Sequence, residues 1–297
     1  GPAASKDSYL NEAAIIAAAE LVGADAIYPG YGFLAENSSF AEKCNQSGFK
    51  FVGPDPKVIE IMGDKIKAKE LIESLGVPIV PGYTGNIQSQ DQIENIVDEI
   101  GYPVIVKASA GGGGKGMRVV EKKKDLWDCV ISAQNEAQLA FGNGEVFIEK
   151  YLQKPRHIEV QVFGDGKGKV VHLYSRDCSL QRRYQKIVEE APAINLPQDK
   201  LNEIQNICVK ACSELKYEGA GTLEFLYENN EFYFIEMNTR IQVEHTVTEM
   251  ITGVDLVQAQ LCLALEDRFD LEQDKLKING HAMQCRINAE DPETFIP

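Results

Sequence analysis

The chain has 297 residues, 44% of them hydrophobic and 25% charged, as expected for a globular protein with a large core and two or three domains. Its 30 basic and 45 acidic residues give a formal net charge of −15, which argues against nucleic-acid binding over a broad surface. No apolar run is long enough to span a membrane, and no signal peptide is recognisable. The seven cysteines show no CxxC spacing, so we expect a cytoplasmic protein without structural zinc.

The first part of the chain alternates predicted helices and strands. In order, these are a helix over residues 11–21, a strand over 25–28, a helix over 38–46, a strand over 50–52 and a helix over 64–75. Gly23 is expected to end the first helix and Gly76 the last. Such alternation predicts a parallel sheet.

A glycine-rich run lies within a compact βαβ-like unit that we expect over residues 79–151. A strand over 102–109 carries Lys107 near its end, glycines fill 111–114 and 116, and a strand resumes at Met117. Met117 stands where a P-loop has lysine, and no helix follows as in a dinucleotide fingerprint. Glycine N–H groups can approach phosphate oxygens closely, so we expect a phosphate-covering loop with Lys107 as a point charge. The alternative is a plain flexible linker.

Further along, residues 157–174 predict a hairpin around Asp165-Gly166, and residues 198–216 predict a helix. Two β-prone runs, 222–227 and 232–237, predict a second hairpin. Closure around Asn230 would place Glu224 opposite Glu236, with Cβ atoms roughly 5 Å apart. Like charges at that distance repel by about 3 kcal/mol at an effective dielectric of about 20, unless a cation lies between them.

Glu224 and Glu236, with Asn238 close by, therefore predict a Mg²⁺ site, since hard divalent ions prefer oxygen ligands. The alternative is a solvent-facing acidic pair in a shifted register.

Polar and mostly apolar residues alternate along the segment 236–245 that ends this hairpin. The polar positions are Glu236, Asn238, Arg240, Gln242 and Glu244. If the segment stays extended, these side chains point to one side. We then expect Arg240, Gln242 and Glu244 to meet one anion, with Arg240 keeping the Glu244 carboxylate ionised. The simpler alternatives are a solvated strand face and a structural Glu244–Arg240 ion pair.

An ordered series of motifs resembles the biotin carboxylase family of ATP-grasp enzymes. The motifs are YPGYGFLAEN (28–37), MGDK (62–65), KASAGGGGKGMRVV (107–120), EKYL (149–152), PRHIEVQV (155–162), RDCSLQRR (176–183), QKIVEEAP (185–192) and EMNTRIQVEHTVTE (236–249). The resemblance covers essentially the whole chain and is greatest to the members that serve bacterial acetyl-CoA carboxylase. Family members have further strands before Gly1 and more chain after Pro297, so we expect a fragment truncated at both ends.

The resemblance implies an α/β ATP-grasp fold in three parts. These are a partial Rossmann-like pre-ATP-grasp domain over 1–64, an ATP-grasp domain over 65–270 with a mobile lid at about 80–151, and the start of a truncated C-terminal subdomain over 271–297. The implied activity is that of an ATP-dependent ligase that carboxylates biotin with bicarbonate through carboxyphosphate. That reaction is the first half-reaction of acetyl-CoA carboxylase in fatty acid synthesis.

The resemblance also implies a role for each matching residue. ATP binding is implied for Lys65, Lys107, Gly113, Gly114, Glu149, Lys150, Leu152 and His157, with Gln181 near the nucleotide phosphates. Mg²⁺ or Mn²⁺ binding is implied for Glu224, Glu236 and Asn238. The bicarbonate site would contain Lys186, Arg240, Gln242 and Val243, with Glu244 as the general base and Arg286 facing biotin. The residues expected to take part in catalysis are Glu244, Arg240, Arg286 and Lys186.

Three positions depart from the family pattern. Tyr184 replaces a nucleotide-contacting histidine, Ala110 a glycine at the edge of the loop, and Thr246 a proline. No AMKM-like biotin-attachment motif occurs, so the biotin would be carried elsewhere. The expected partners are a biotin carboxyl carrier protein and a carboxyltransferase component, with a homodimer at full length.

Three other functions stay open at this point. The chain could be the biotin carboxylase part of a propionyl-CoA or pyruvate carboxylase. It could be another ATP-grasp ligase, such as one that forms carbamoyl phosphate, although such a ligase is expected to lack both the RxQxE pattern and Arg286. The third is a non-catalytic nucleotide-binding scaffold.

Overall fold

A computed structural model describes residues 1–85, 87, 89–109 and 117–294. Gly113 and Gly114, which we predict to bind ATP, and Ala110 lie outside these ranges. Within them, none of the helices combines the length and the apolar character needed to cross a membrane.

The helices are α1 (Glu12–Val22), α2 (Ser38–Gln46), α3 (Pro56–Gly63), α4 (Lys65–Ser74), α5 (Gln90–Ile100), α6 (Leu126–Phe141), α7 (Gln198–Glu214), α8 (His245–Thr252) and α9 (Leu256–Glu266). The strands are β1 (Ala26–Ile27), β2 (Lys50–Phe51), β3 (Gly82–Tyr83), β4 (Val104–Ala108), β5 (Arg118–Val120), β6 (Val146–Lys150), β7 (Arg156–Asp165), β8 (Val170–Arg182), β9 (Gln185–Ala191), β10 (Glu218–Glu228), β11 (Glu231–Asn238) and β12 (Ala282–Cys285). The predicted helices and the second hairpin are confirmed to within a few residues at each end, whereas the second strand of the first hairpin, β8, continues eight residues beyond the predicted end at Tyr174.

The N-terminal part is a small α/β unit. Strands β1 and β2 pair in parallel, which confirms the prediction from the helix–strand alternation. The Asn11 side chain caps α1 by accepting from the Ala14 N–H at 3.0 Å, and Gly23 ends the helix with φ of 63°. Phe40 of α2 and Phe51 of β2 meet edge to face in the core of this unit.

Strands β3, β4, β5 and β6 form a separate four-stranded sheet in the order β3-β6-β4-β5, covered by α5 and α6. Neighbouring strands of this sheet are antiparallel, but each helix connects two strands that run in the same direction, β3 to β4 through α5 and β5 to β6 through α6. The predicted βαβ-like connection is therefore present in split form, with one strand between the connected pair. Strand β5 is antiparallel to β4, and α6 leads from β5 to β6, which pairs with the other edge of β4. Val104 and Val106 face the helices, whereas Lys107 and Glu149 lie on the other face of the sheet.

The largest sheet has six antiparallel strands in the order β11-β10-β7-β8-β9-β12. Alternation along its strands separates two faces. Ile158 and Val160 of β7 and Leu223 of β10 pack in a core with residues of α4 and α7. Glu159 of β7 and Glu224 of β10 point to the opposite side, which we call the polar face. The candidate site lies on this face.

Candidate functional site

The polar face carries the predicted metal residues in the predicted register. Strands β10 and β11 pair so that Glu224 lies directly opposite Glu236. Asn229 and Asn230 form the turn, with φ of 54° and 66°, as a two-residue hairpin turn with positive φ requires. The turn therefore lies within one residue of the predicted closure at Asn230, and a β-bulge between Glu224 and Phe225 shifts the ladder by one residue so that Glu224 meets Glu236 as predicted. The alternative of a solvent-facing pair in a shifted register is wrong, because the register is as predicted and Glu224 is only 5% exposed.

The prediction that the chain stays extended from Glu236 to Glu244 is wrong beyond Asn238. Strand β11 ends at Asn238, and α8 begins immediately after Glu244. The ladder with β10 finishes at the pair Thr222–Asn238, and the next backbone N–H donates to the carboxylate of Glu36 at 3.1 Å instead. A loop, rather than strand alternation, therefore positions the remaining predicted anion-binding residues.

Arg240 and Glu244 have different partners, which corrects the expectation that Arg240 keeps Glu244 ionised. Arg240 donates from Nε to Glu36 at 2.9 Å and from Nη2 to Asn238 Oδ1 at 2.9 Å. The Glu244 carboxylate accepts from Lys186 Nζ at 2.7 Å and from Arg286 Nη2 at 2.8 Å. The alternative Glu244–Arg240 ion pair is therefore wrong too. Glu244 is only 2% exposed, so these two cations neutralise a buried carboxylate.

Lys186 is the central cation of the polar face. Its ammonium group donates to Glu159, to Glu224 at 2.8 Å and to Glu244 at 2.7 Å. Burial alone would lower the pKa of Lys186, but these three carboxylates raise it above the ordinary value. Lys186 therefore joins the predicted metal residues to the predicted general base.

His157, which we predict to bind ATP, lies beside Lys186. Its Nε2 is 2.8 Å from Glu224 Oε2 and 3.2 Å from Glu159 Oε1. Burial alone would lower the pKa of His157, but the hydrogen bonds to Glu159 and Glu224 raise it to about 9. The imidazole is therefore a second cation of the polar face at neutral pH.

The predicted metal ligands form a set of oxygens that suits a hard divalent cation. Glu224 accepts from Asn238 Nδ2 at 2.8 Å, while the Asn238 amide oxygen accepts from Arg240. Burial and the charge of Glu224 raise the pKa of Glu236, and the positive charge of Lys65 only partly offsets them. Two carboxylates and an amide oxygen on neighbouring strand positions therefore fit Mg²⁺ or Mn²⁺.

The predicted nucleotide residues Lys107 and Glu149 form an ion pair of 2.7 Å on the face of the small sheet opposite its helices. The same carboxylate also contacts Lys69, a buried residue one helical turn after Lys65 on α4. Burial and the charges of Lys107 and Lys65 lower the pKa of Lys69 to about 6. Burial and Lys65 lower that of Lys107 to about 8. Lys69 and Lys107 thus contact one carboxylate, and Lys65 lies close enough to lower the pKa of both, so basic side chains gather here as expected of a phosphate-binding region.

The other predicted residues have simpler surroundings. Lys150 donates to the carbonyl oxygens of Gly101 and Tyr102 at 2.9 and 3.0 Å, and Leu152 lies half-buried just beyond β6. Gln181 donates to the Cys178 carbonyl oxygen at 2.9 Å. Gln242 donates to Glu224 at 2.8 Å, and Val243 is half-buried in the loop before α8.

Two of the departures from the family pattern lie in the described ranges. Tyr184 is 68% exposed in the turn between β8 and β9, with φ of 64°. Thr246 in the first turn of α8 donates to Gln284 of β12, a contact that proline could not make.

Sequence reasoning gave no role to several charged or polar residues of the site. These are Lys69, Glu159, Gln161, Arg176 and Glu189. Glu189 is fully buried and pairs with Arg286 Nε at 2.6 Å. Two of them could have been predicted from the alternation of side chains along a strand. Glu159 and Gln161 alternate with Ile158 and Val160, so they point to the same side as His157. Lys69 offered a helical signal, since it follows Lys65 by four positions.

Comparison with known proteins matches both parts of the chain to family models. The model described as "Carbamoyl-phosphate synthase L chain, ATP binding domain" matches residues 64–272. The model described as "Biotin carboxylase, N-terminal domain" matches residues 1–59.

Individual relatives are similar over the whole chain. The biotin carboxylase of Haemophilus influenzae is 57% identical over 299 residues, covering 100% of this chain and 66% of the relative. The structure of the biotin carboxylase–β,γ-ATP complex of Campylobacter jejuni matches with a TM-score of 0.93 and 52% identity, covering 99% of this chain and 66% of that one.

A third match is the biotin carboxylase domain dimer of Hydrogenobacter thermophilus 2-oxoglutarate carboxylase, in complex with MgADP, ADP and bicarbonate. It has a TM-score of 0.92 and 49% identity, and the match covers 100% of this chain and 66% of that one. The chain thus spans about two thirds of the length of the proteins it matches. By these matches and by the ATP-grasp fold on which its site is built, the chain belongs to the biotin carboxylase family.

Proposed function

We propose that the protein is an ATP-dependent ligase that carboxylates biotin with bicarbonate. The observation that carries this proposal is the placement of Glu244. Its buried carboxylate lies between Lys186 and Arg286, and Lys186 also contacts Glu224 of the metal-type residues. A base from the loop before α8, a cation for an anionic substrate and carboxylates for a metal ion therefore come together at the polar face of the sheet.

Each of these residues has a step in the proposed mechanism. Glu244 accepts the proton of bicarbonate, whose oxygen then attacks the γ-phosphoryl group of ATP to give carboxyphosphate and ADP. Lys186, Gln242 and Arg240 orient the bicarbonate. We assign to Val243 a contact between its backbone and the bicarbonate. Carboxyphosphate then releases CO₂ beside biotin, and Arg286 stabilises the negative charge on the ureido oxygen.

The nucleotide and metal residues supply positioning and charge neutralisation. Glu224, Glu236 and Asn238 would hold Mg²⁺ or Mn²⁺, which neutralises phosphate charge when bound. Lys65, Lys107, Glu149, Lys150, Leu152, His157 and Gln181 would bind ATP, with Gly113 and Gly114 of the glycine run covering its phosphates. The segment at about 80–151 would close as a lid and exclude water from carboxyphosphate.

For the cellular context we propose the first half-reaction of acetyl-CoA carboxylase in fatty acid synthesis. The partners would be a biotin carboxyl carrier protein and a carboxyltransferase component, with a homodimer at full length. The 57% identity to a bacterial biotin carboxylase supports this context, and the seven free cysteine thiols support a cytoplasmic location. A second context, the biotin carboxylase part of a keto-acid carboxylase, is favoured by the match to 2-oxoglutarate carboxylase.

One assay tests the reaction itself. ATP hydrolysis by the full-length protein should require bicarbonate and respond to free biotin. Glu244→Gln keeps the shape and removes the basicity, so the rate should fall by about 10²–10⁴-fold while the KM for ATP changes little. Glu249→Gln, one turn further along α8, is the matched control and should keep its activity.

Near-normal bicarbonate-dependent turnover in Glu244→Gln would show that the base is another group. Hydrolysis that ignores both bicarbonate and biotin would favour a different ATP-grasp ligase. No turnover by the wild-type protein would favour a nucleotide-binding scaffold.

A further inference from the structure

Arg176 lies at the centre of the polar face, fully buried on β8. Its guanidinium donates to Glu159 Oε2 from Nε at 3.1 Å and from Nη2 at 3.0 Å. The same Nη2 lies 2.8 Å from Gln242 Oε1. Further contacts reach Gln161 Oε1 at 2.6 Å, Thr248 Oγ1 at 3.0 Å and Thr222 Oγ1 at 3.1 Å. One side chain therefore joins β7, β10, α8 and the loop before α8.

The contact between Arg176 and Gln242 fixes which end of the Gln242 side-chain amide faces Arg176 and which end faces Glu224. A guanidinium has donors and no acceptor, so only the amide oxygen can meet Arg176. The amide nitrogen must then point the other way, and it donates to Glu224 Oε1 at 2.8 Å. With a flipped amide, two N–H groups would meet at Arg176 and two acceptors at Glu224.

The contact with Glu159 acts on the other side of the site. Arg176 engages Oε2 of this carboxylate, and Oε1 is thereby left to Lys186 and to His157 at 3.2 Å. Lys186 in turn donates to Glu244 at 2.7 Å. Arg176 thus lies one contact from Gln242 and two from Lys186, both of which we assign to bicarbonate.

We propose that Arg176 is a positioning residue of the bicarbonate site, which sets the amide orientation of Gln242 and, through Glu159, the place of the Lys186 ammonium. The proposal rests on the proposed function. A purely structural arginine that ties strands together would affect ATP and bicarbonate alike, whereas this role makes bicarbonate binding the sensitive quantity.

The test is Arg176→Lys in the full-length protein, measured by bicarbonate-dependent ATP hydrolysis. Lysine keeps the charge but lacks the planar set of donors that meets several acceptors at once. The KM for bicarbonate should rise roughly 10–100-fold, by analogy with residues that orient metal ligands, and the KM for ATP should change less than about twofold. Arg156→Lys is the matched control, because this arginine of β7 pairs with Asp177 at 2.6 Å and should leave both KM values unchanged.

A double-mutant cycle separates positioning from general damage. In a Gln242→Met background, Arg176→Lys should raise the bicarbonate KM by a much smaller factor, because the amide that it orients is absent. Fully multiplicative effects, or parallel rises in both KM values, overturn the proposal. If the wild-type protein shows no bicarbonate-dependent hydrolysis, both the proposed function and the role proposed for Arg176 are overturned. If the wild type is active and Arg176→Lys leaves the KM for bicarbonate unchanged, only the role proposed for Arg176 is overturned.

If Arg176→Lys does not fold, Thr222→Val combined with Thr248→Val removes two acceptors of the guanidinium with little change of shape. The bicarbonate KM should then rise roughly threefold, as expected for a weakened hydrogen-bonded position, with the KM for ATP within about twofold. An unchanged bicarbonate KM in this folded variant overturns the proposal.

Discussion

At the residue scale, charges on the polar face occur in matched numbers. The carboxylates are Glu159, Glu189, Glu224 and Glu244, and the cations facing them are His157, Arg176, Lys186 and Arg286. Each buried carboxylate contacts at least one of these cations, as the cost of burying a charge demands. Glu236 lies beside this balanced set, and burial and the charge of Glu224 raise its pKa.

The position of Glu236 leads to a prediction about metal binding. Glu236→Gln removes a negative charge and leaves a weak neutral ligand, so Mn²⁺ affinity in the nucleotide complex should fall roughly tenfold or more. Electron paramagnetic resonance titration of free Mn²⁺ measures this change. Glu231→Gln, at the exposed far end of the same strand, is the control. Equal Mn²⁺ affinity in wild type and Glu236→Gln would argue against a metal between Glu224 and Glu236.

Arg286 should matter more for biotin than for ATP. In Arg286→Met, Lys186 still neutralises Glu244, so bicarbonate-dependent ATP hydrolysis should persist. Carboxybiotin formation should drop by about 10²-fold, the usual effect of losing one donor to a developing oxyanion. Parallel assays of phosphate release and of carboxybiotin separate the two. Equal loss of both activities would mean that Arg286 acts mainly by holding Glu189 and Glu244 in place.

At this scale the sequence predicted which residue types belong together better than it predicted their contacts. The Glu224–Glu236 pair was predicted from local signals within one hairpin, although the β-bulge next to Glu224 that completes this register was not predicted. The pairs of Glu244 with Lys186 and Arg286 join positions 58 and 42 residues apart, and no local pattern specifies them. Arg240 was placed wrongly because its partner, Glu36, lies 204 positions away.

At the scale of elements, glycine allows two strands of the central sheet to approach closely at one point. Gly164 of β7 pairs with Gly219 of β10, and a Cβ atom at Gly164 would lie 2.1 Å from the Tyr217 carbonyl oxygen. Such a contact forces the backbone to move. Strand β7 carries Gly164 near its C-terminal end and the site residues His157 and Glu159 near its N-terminal end. A shift of the β7 backbone at Gly164 would therefore also affect the strand on which these two site residues lie.

Gly164→Ala should therefore lower the free energy of unfolding by about 2 kcal/mol or more. Gly63→Ala at the end of α3 is the control, because no atom lies within 4 Å of its added Cβ and its φ is not positive. That substitution should change stability by no more than about 1 kcal/mol, in the stabilising direction. Urea unfolding midpoints measure both effects. Coincident unfolding curves for Gly164→Ala and wild type would contradict the close approach of β7 and β10.

Helices and hairpins were predictable because their signals are local. Asp64 caps α4 by accepting from the N–H groups of Ile66 and Lys67, and the sequence indicated a helix start there. The strand order in the small sheet was not predictable in the same way. It depends on which strands become neighbours, here β4 with both β5 and β6, and the hydrophobic pattern of a strand does not specify its neighbour.

At the scale of the whole molecule, stability should depend on pH through a histidine far from the chemistry. His172 is 9% exposed, and burial lowers its pKa from 6.5 to about 4. The unfolded chain therefore binds a proton more readily than the folded one between these values. The stability associated with neutral His172 is fully present above pH about 6.5 and is lost as the pH falls toward 4.

His172→Gln should flatten this part of the profile. Between pH 7 and pH 5 the wild type should lose about 1–2 kcal/mol more than the variant, allowing for solvent near the ring. Urea unfolding at several pH values measures the difference. The two profiles should run parallel above pH 7, and parallel profiles down to pH 5 would rule His172 out as the group responsible.

The whole architecture was predictable only through the resemblance, because the order of strands in the sheet follows from contacts between distant segments. Composition predicted a globular chain and limited the classes of partner. It carried no information on how the N-terminal unit meets the central sheet. That contact includes an ion pair of 2.6 Å between Lys50 and Glu218, 168 positions apart.

The bond between Glu36 and Arg240 has a consequence for how this protein can be divided. Glu36 belongs to the segment that matches one family model, and Arg240 to the segment that matches the other. The proposed bicarbonate site therefore depends on both matched segments, whereas the proposed ATP and metal residues all lie within the segment 64–272. If the ATP-binding segment were joined to a different N-terminal module, it would keep its lysines and acidic ligands. Arg240 would lose its partner Glu36, so we expect the orientation of this arginine at the proposed bicarbonate site to depend on both segments.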